Sequence, residues 1–458
     1  MLRPLRPSAL VVGAALCVAL ATPGPARAHG LWGHVHVTGW AVENMPDDEL
    51  RAFLLDDPEV FNALLFGAVF TDTGYALDEP AARAYSEHAH WEPFIQDYVA
   101  WMQANDPPPW DSLESRKRVA FLMGCASHGL QDTLFDSLFL HQVEERDGVG
   151  QSETDPGTDG FLAVDGHLRF VPERDLPLDT LLELTADLDA DVTADVIDRA
   201  VSRVTDAYIN DGVGLSIAQS LGQTYADTMP WGRQHYLDPD VPGSLRAEVF
   251  PTMAYQQAIW ARLHDGLPAD DPVTFAFPEA PRRLRSGDPA VVDSWVSLVF
   301  GQGVSYDPDL LELVDEAGAP VAFTAASNRW GADPTRLVRL QPDEALTPGG
   351  WYTARLRAGA QTIDGQTSTA AATLRFQVAC DTADDPACPD LGELPVADID
   401  GLDEPVEPDG AGGADSGAPS AAGSATASGC GCATARPTPL GWLGLVGLSL
   451  FGAARRRR

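Results

Sequence analysis

The feature that most constrains the fold is a change of hydrophobic periodicity close to residue 270. Before this point, segments such as Leu178–Leu188 and Thr252–Leu263 place apolar residues three and four positions apart, as amphipathic helices do. After it, apolar and polar residues largely alternate within short stretches such as Trp351–Leu356, and Pro- and Gly-rich turns separate these stretches. This pattern is typical of β-strands. A chain of 458 residues is also too long for one hydrophobic core. We therefore predict a multidomain protein, with an all-α domain over residues 29–268 followed by a β-sandwich over residues 271–378.

The first 28 residues have the pattern of a secretory signal peptide. Basic residues precede an apolar run over residues 9–21, and Ala26 and Ala28 supply the small side chains that signal peptidase requires. The apolar run is too short to span a bilayer, which disfavours an N-terminal membrane anchor. Cleavage after Ala28 would place His29 at the start of the mature chain.

The C-terminal part of the chain has the composition of a stalk followed by an attachment signal. Residues 379–429 are acidic at first and then rich in Gly, Ala and Ser, so they cannot bury a core and a disordered stalk is expected. Residues 430–458 contain two cysteines, an apolar segment over residues 440–454 and four terminal arginines. This arrangement resembles the MYXO-CTERM sorting tag, which implies processing and attachment at the cell surface. A plain C-terminal membrane anchor is the alternative, and both interpretations predict an exported protein.

The net charge of −37 limits the partners of the chain. Nucleic-acid binding is not expected, because phosphate-rich partners require a basic surface. Electrostatic docking on anionic lipid is disfavoured for the same reason. We expect a monomer with a phospholipid or glycolipid substrate, attached to a membrane through the C-terminal tag.

Seven of the ten histidines lie in the first 141 residues, which indicates a metal site in the helical domain. The segment 119–132 is largely apolar but contains His128 and Asp132, four residues apart and therefore on one face of a helix. Asp136 extends this face by one more turn. Burying an imidazole beside two carboxylates costs free energy unless a cation compensates. An ordinary hydrogen-bonded His–Asp pair is the alternative interpretation.

Three further segments accompany this helix: His29–His34, Gly67–Asp72 and His88–Phe94. Together, from about Gly30 to His141, they resemble the zinc-dependent phospholipase C superfamily, and within it most closely the catalytic domain of glycosylphosphatidylinositol-specific phospholipases D. The resemblance implies two or three Zn²⁺ ions. By position, the ligands that it implies are His29 at the mature terminus, His34, Asp72, His90, His128 and Asp132.

This sequence departs from the family pattern at two places. Asp136 stands where the family has a histidine, and Asp155 and Asp159 replace a histidine and an aspartate in what we expect to be a polar, Gly-rich loop over residues 144–160. His141 with Glu145 is a rival pair. Carboxylates in place of imidazoles favour harder cations such as Mn²⁺, Mg²⁺ or Ca²⁺. We therefore expect one metal position to be altered, weakened or empty.

The resemblance implies a phosphodiesterase in which a metal-activated water attacks a phospholipid or a glycosylphosphatidylinositol-type lipid, with Asp72 as the catalytic base. Two alternatives remain open. One is a related zinc-dependent nuclease. The other is a non-catalytic surface binding protein with a degenerate metal site, in which the β-sandwich carries the function.

The run Leu340–Thr353 resembles bacterial Ig-like domains found on extracellular enzymes.

Overall fold

A computed structural model describes residues 30–46, 48–206, 213–239, 241–264, 266, 273–277, 283–284, 296–347 and 349–378. The predicted signal peptide, His29, the stalk and the sorting tag lie outside these residues. Among the residues that are described, no helix is both long enough and apolar enough to cross a membrane.

The described residues before position 266 are mainly helical, and those after position 272 form strands, which confirms the predicted order of a helical part followed by a sheet region. The helices are α1 Leu31–Glu43, α2 Glu49–Leu55, α3 Pro58–Thr73, α4 Pro80–Ala89, α5 Glu92–Asn105, α6 Leu113–Leu134, α7 Leu140–Arg146, α8 Gln151–Asp165, α9 Leu178–Leu184, α10 Ala194–Val204, α11 Val213–Ala226, α12 Pro230–His235 and α13 Val249–His264.

Helices α3 and α6 form the centre of the helical part, and two glycines allow them to approach closely. A Cβ atom on Gly67 would lie 2.3 Å from the carbonyl oxygen of Phe121, and one on Gly124 would lie 2.1 Å from that of Leu64. Both helices have a side-chain cap at their N-terminus, from Asp57 in α3 and from Ser112 in α6. This crossing matters for the site because Asp72 lies in the last turn of α3 and α6 carries His128.

The expectation of a loop over residues 144–160 was wrong, because α8 occupies Gln151–Asp165. Pro156 lies inside this helix, and Gly157 and Gly160 lower its intrinsic propensity further. Packing compensates: a Cβ atom on Gly160 would lie only 2.3 Å from the backbone nitrogen of Gly222 in α11. Tertiary contact with α11 thus favours a helix that local sequence disfavours.

A π-helical turn, Phe135–Phe139, joins α6 to α7 and makes the two nearly continuous. Turns of this kind widen a helix by one residue and are frequent at functional sites. Asp136 lies in this turn and is 1% exposed.

The strands form two sheets that enclose a common core. The strands are β1 Val273–Phe277, β2 Arg283–Leu284, β3 Val296–Ser305, β4 Leu311–Asp315, β5 Phe323–Ala326, β6 Thr335–Pro342, β7 Trp351–Leu356, β8 Gln361–Thr362 and β9 Ala372–Val378. One sheet has the order β1-β3-β6-β5, with β8 also paired to β3, and the other has the order β2-β9-β7-β4. The pairing is antiparallel except between β2 and β9.

Alternating burial along β7 matches the sequence pattern, since Tyr352, Ala354 and Leu356 are buried while their neighbours are partly exposed. These side chains join a core contributed by both sheets, which includes Phe300 and Phe376.

The sheet region packs against the helices, and all the described residues belong to one compact unit. A buried ionic cluster lies at the contact: Glu92 of α5 accepts hydrogen bonds from Arg262 at 2.8 Å and from Tyr255 at 2.5 Å, both of α13. Arg336 of β6 reaches the same place. The sheets therefore adjoin the helices that carry the candidate site.

Candidate metal centre

Five of the residues singled out in the sequence meet at one place, although they come from four separate stretches of chain. His34 lies on α1, Asp72 near the end of α3, His90 at the C-terminal cap of α4, and His128 with Asp132 on α6. All five are buried, and the two most exposed of them, His90 and Asp132, are only 8% exposed. The close α3–α6 crossing places Asp72 beside His128, because the two residues follow the contact glycines by about one turn.

The three imidazoles are oriented by oxygen acceptors. The Nδ1 atoms of His90 and His128 lie 2.6 Å from the backbone oxygens of Ser86 and Ala68, respectively. Nδ1 of His34 lies 2.9 Å from Oε1 of Gln131, whose amide nitrogen is itself directed to Thr38. A carbonyl oxygen only accepts, so each Nδ1 carries the hydrogen and each Nε2 is left with its lone pair toward the centre. This is the orientation that metal-ligating histidines adopt.

The inward atoms are spaced as ligands around a cation. Nε2 of His90 lies 3.2 Å from Nε2 of His128, 3.2 Å from Oδ2 of Asp132 and 3.3 Å from Oδ1 of Asp72. Nε2 of His34 lies 3.1 Å from Oδ1 of Asp132. Around a tetrahedral Zn²⁺ with bonds of about 2.0–2.1 Å, ligand atoms are roughly 3.3–3.4 Å apart. The described residues therefore contain two groups able to hold a metal ion: His34, His128 and Asp132, and Asp72, His90 and His128.

The donors present fit a divalent cation. Two neutral imidazoles with Nε2 lone pairs 3.2 Å apart repel each other unless a positive charge lies between them. Oδ1 of Asp132 is buried and accepts no hydrogen bond of normal geometry from the described part of the chain. A buried carboxylate in that state costs free energy, which a cation offsets. Nitrogen and carboxylate donors together are the usual set for Zn²⁺.

Without a cation, protons take over part of this role. Burial by itself lowers the pKa of His90, but hydrogen bonds and attraction from Asp132 and Asp72 outweigh burial and raise the pKa well above its usual value. The pKa of His34 is raised for similar reasons. Burial lowers the pKa of His128, helped by repulsion from His34. Burial opposes ionisation of Asp132, yet attraction to His128 and His34 holds its pKa well below the usual range.

Asp136, Asp155 and Asp159 lie near the five converging residues, but Asp136 and Asp159 are engaged in other contacts. Asp136 accepts a hydrogen bond from Trp330 Nε1 at 3.0 Å and lies 3.3 Å from Nε2 of Gln151. Asp159 accepts hydrogen bonds from the backbone N–H groups of Gly33 at 2.8 Å and of Trp32 at 3.2 Å, at the start of α1.

Asp155 lies one turn before Asp159 on α8, and its Oδ1 atom is buried without a hydrogen-bond donor among the residues that are described. Burial, reinforced by repulsion from Asp136, Asp132 and Asp72, raises the pKa of Asp155 well above its usual value. Burial also raises the pKa of Asp159, to about 7. A second group of buried carboxyl groups therefore adjoins the five converging residues, and burial favours their neutral forms when no cation is bound.

Two other histidines, His141 and His36, belong to neither group of candidate ligands. His141 and Glu145 contact each other at 3.2 Å, but both side chains are more than a third exposed. His36 is fully buried. Its Nε2 atom accepts the backbone N–H group of Arg169 at 2.8 Å, which ties α1 to the chain that follows α8.

The centre opens into a pocket of about 590 Å³. His90, Asp132 and Asp136 line it on the helical side, and residues of the loop between β5 and β6 line it from the sheet region. Its members are Tyr75, Glu87, His88, His90, Trp91, Pro93, Gly129, Asp132, Thr133, Asp136, Gln151, Trp330, Ala332, Asp333 and Pro334.

Aromatic side chains on both sides of the pocket are fixed in place. Glu87 accepts hydrogen bonds from Tyr75 at 2.7 Å and from Trp91 at 2.9 Å. On the other side Trp330, 46% exposed, is held through its Nε1 atom by Asp136, and the adjacent Arg329 makes two hydrogen bonds to Glu144. Sequence reasoning missed Trp330, because nothing in its local sequence links it to a residue almost two hundred positions earlier.

Comparison with known proteins gives a partial link. No family model matches the chain. It is 31% identical over 119 residues to phosphatidylinositol-glycan-specific phospholipase D of Bos taurus, a match that covers 25% of this chain and 14% of that protein. The Homo sapiens protein of the same name is 35% identical over 94 residues, covering 20% of this chain and 11% of the relative. The match thus spans about a seventh or less of the length of these curated relatives.

The structural matches are weaker. Surface layer protein SbsC, domains 1-6, aligns with a TM-score of 0.19 and 10% identity, over 65% of this chain and 46% of that one. The N-terminal part of the same S-layer protein aligns with a TM-score of 0.19 and 11% identity, over 70% and 79% of the two chains. Overlap this low establishes no common fold. What the comparisons do establish is a distant similarity, over about a quarter of the chain, to proteins named phosphatidylinositol-glycan-specific phospholipase D.

Proposed function

We propose that this chain is an exported, surface-tethered, metal-dependent phosphodiesterase that hydrolyses phospholipids or glycosylphosphatidylinositol-type lipids. The observation that carries the proposal is the set of three imidazoles with their Nε2 atoms turned toward Asp72 and Asp132 at the floor of a pocket. The distant relationship to phosphatidylinositol-glycan-specific phospholipase D supports the substrate class.

The proposed ligands are the five converging residues, with His29 as a sixth at the mature terminus. Zn²⁺ is the proposed cation for the histidine-containing groups, in two or three copies. Asp136, Asp155 and Asp159 would hold a further, harder cation, since they offer only oxygen. Bound divalent cations lower the pKa of a coordinated water and neutralise charge that develops on the phosphate.

The protein's own residues supply orientation and proton transfer. Asp72 is the proposed catalytic base: its Oδ1 atom lies 3.3 Å from Nε2 of His90, so its carboxylate faces the place where the attacking water would lie. Trp91 and Trp330 stand on opposite sides of the pocket and would limit the position of the groups attached to phosphorus. The five converging residues are themselves buried, and electrostatic interactions are stronger where side chains are shielded from water.

We propose that the sheet region is a bacterial Ig-like module, and that residues 29–268 and 271–378 are the two domains of the enzyme. The signal-peptide pattern and the sorting-tag pattern support export and tethering.

The test combines elemental analysis with a substrate panel. Protein processed to begin at His29 is analysed for bound metals and assayed with phosphatidylcholine, phosphatidylinositol, a glycosylphosphatidylinositol-anchored protein and single-stranded DNA. We expect at least two bound divalent cations per chain and cleavage of at least one lipid. Asp132→Asn should abolish the activity while the fold is kept. The matched control is His235→Ala, since His235 makes a contact with Asp238 outside the pocket.

Cleavage of single-stranded DNA without cleavage of any lipid would replace the proposal with a nuclease. Less than about one bound ion per chain would instead favour a non-catalytic binding protein, because the chemistry requires at least a pair of cations.

A further inference from the structure

An arginine of the sheet region lies directly behind the candidate metal centre. Arg336 is on β6 and only 3% exposed. Its Nη2 atom donates to the backbone oxygen of His90 at 2.7 Å and to that of Gly129 at 2.9 Å. One nitrogen of the sheet region therefore connects two separate helical segments, each of which carries candidate ligands.

The two accepting carbonyls belong to a candidate ligand and to a residue directly adjacent to one. One belongs to His90 itself, and the other belongs to the residue that follows His128 and precedes Asp132 by three positions. The rings of His90 and His128 are 4.8 Å apart between centroids. A shift between the two segments would therefore change the distance between their Nε2 atoms directly.

Gly129 permits this contact. A Cβ atom at this position would lie 2.3 Å from the backbone oxygen of His90 and 2.9 Å from Nη2 of Arg336. Any larger residue would push apart the two segments and displace the guanidinium group. The absence of a side chain thus has a local function, which is close backbone approach.

The guanidinium group is itself held in position. Glu92, two residues after His90, lies 3.9 Å from Nε of Arg336 and also binds Arg262 and Tyr255 of α13. Arg336 additionally lies over the ring of Tyr255, at 5.8 Å from its centroid. A buried arginine that is fixed by a carboxylate and a ring places its donors with little freedom.

We propose that Arg336 is a positioning residue for the metal centre: from the sheet region it fixes the spacing of the His90 and His128–Asp132 segments and so sets their affinity for a divalent cation. The inference rests on the proposed function, because it assumes that these residues bind a cation. It makes the sheet region part of the metal site rather than an independent appendage.

Arg339 provides a matched control on the same strand. It also reaches from β6 to a helical carbonyl, donating Nη1 to the oxygen of Ser137 at 2.7 Å. Ser137 lies in the π-helical turn and is none of the five converging residues. Loss of either arginine removes a contact between the sheets and the helices, but the contacts of Arg336 are the ones made to segments that carry the five converging residues.

The experiment measures cation affinity rather than turnover. Full-length processed protein is stripped with a chelator and titrated with Zn²⁺ against a chromophoric competitor, for wild type, R336Q, R336K and R339Q. Thermal unfolding of each stripped protein is recorded in parallel. We expect R336Q to bind Zn²⁺ roughly 10- to 100-fold more weakly, as changes behind metal ligands generally do. R336K should be intermediate, and R339Q should bind like wild type.

The outcomes separate the inference from the proposed function. If R336Q or, should R336Q not fold, R336K binds Zn²⁺ as tightly as wild type, the positioning role is refuted. Equal weakening by R339Q and R336Q also refutes it, since a general loss of packing would then explain both. Wild-type protein that binds Zn²⁺ tightly but cleaves no lipid contradicts the proposed function and leaves the positioning role supported. Wild-type protein that binds no Zn²⁺ overturns both.

Discussion

Replacing His128 with alanine should weaken cation binding more than replacing any other single histidine of the centre. His128 belongs to both groups of residues able to hold a metal ion, whereas His34 and His90 each belong to one. Binding of Zn²⁺ by four ligands is worth about 10–16 kcal/mol, or roughly 2.5–4 kcal/mol per ligand. Loss of His128 should therefore reduce affinity by roughly two to three orders of magnitude, since about 1.4 kcal/mol corresponds to a factor of ten.

The assay is a competition titration of chelator-stripped protein, with the number of bound ions read from the same curve. His128→Ala should lower affinity at both histidine-containing groups, and His34→Ala should lower it at one of them. His141→Ala is the matched control, because His141 lies on the continuation of the same helix but is partly exposed and contacts Glu145 rather than the five converging residues.

Folding has to be separated from binding, because His128 is fully buried and its Nδ1 atom holds α6 to the carbonyl of Ala68 on α3. Circular dichroism of the stripped variant shows whether the helices remain. A folded His128→Ala variant with the affinity and stoichiometry of wild type would refute the reasoning. So would a His34→Ala variant that loses as much affinity as His128→Ala at both histidine-containing groups.

Three further predictions concern stability and substrate binding. Metal-free protein should become less stable as the pH rises from 5 to 7.5. Burial raises the pKa of Asp159 from 3.8 to about 7. In this range the unfolded chain has therefore released a proton that the folded chain still holds, and the folded state loses stability as the pH rises. The raised pKa of His90 acts in the same direction, and thermal unfolding in a chelator at several pH values checks this; stability that increases with pH would contradict it. In steady-state kinetics, Trp330→Ala should raise KM by about five-fold with little change in kcat, as expected for the loss of about 1 kcal/mol of aromatic contact with the substrate. Trp330→Phe should behave nearly like wild type. An unchanged KM in Trp330→Ala would exclude Trp330 from substrate binding. Gly124→Ala should lower the free energy of unfolding by about 1–3 kcal/mol, because the added methyl group would lie 2.1 Å from the backbone of α3. Urea denaturation measures this change. An unchanged midpoint would show that α3 and α6 can move apart without loss of stability.

Local sequence determined the parts of this protein that depend on local spacing. The four-residue separation of His128 and Asp132 places both on one face of α6, and both contribute to the centre. Alternation over Trp351–Leu356 predicted β7 with the bounds that the structure has. In both cases a backbone periodicity alone decides which side chains face the same way.

Tertiary structure decided the features that depend on backbone atoms and on distant contacts. The oxygens of Ala68 and Ser86 orient His128 and His90, yet a carbonyl oxygen is present in every residue and leaves no mark in the sequence. Residues 151–165 are helical although Pro156 and two glycines argue against it, because α8 packs on α11.

The contribution of the sheet region to the site was equally invisible in the sequence. Arg336 and Trp330 reach His90 and Asp136 across separations of 246 and 194 residues. Contacts over such separations have no period and no fixed spacing, because they arise only when two independently formed surfaces pack together. The sequence thus determined which residues are chemically able to form a metal centre, and the packing of helices and sheets determined how these residues are oriented and what encloses them.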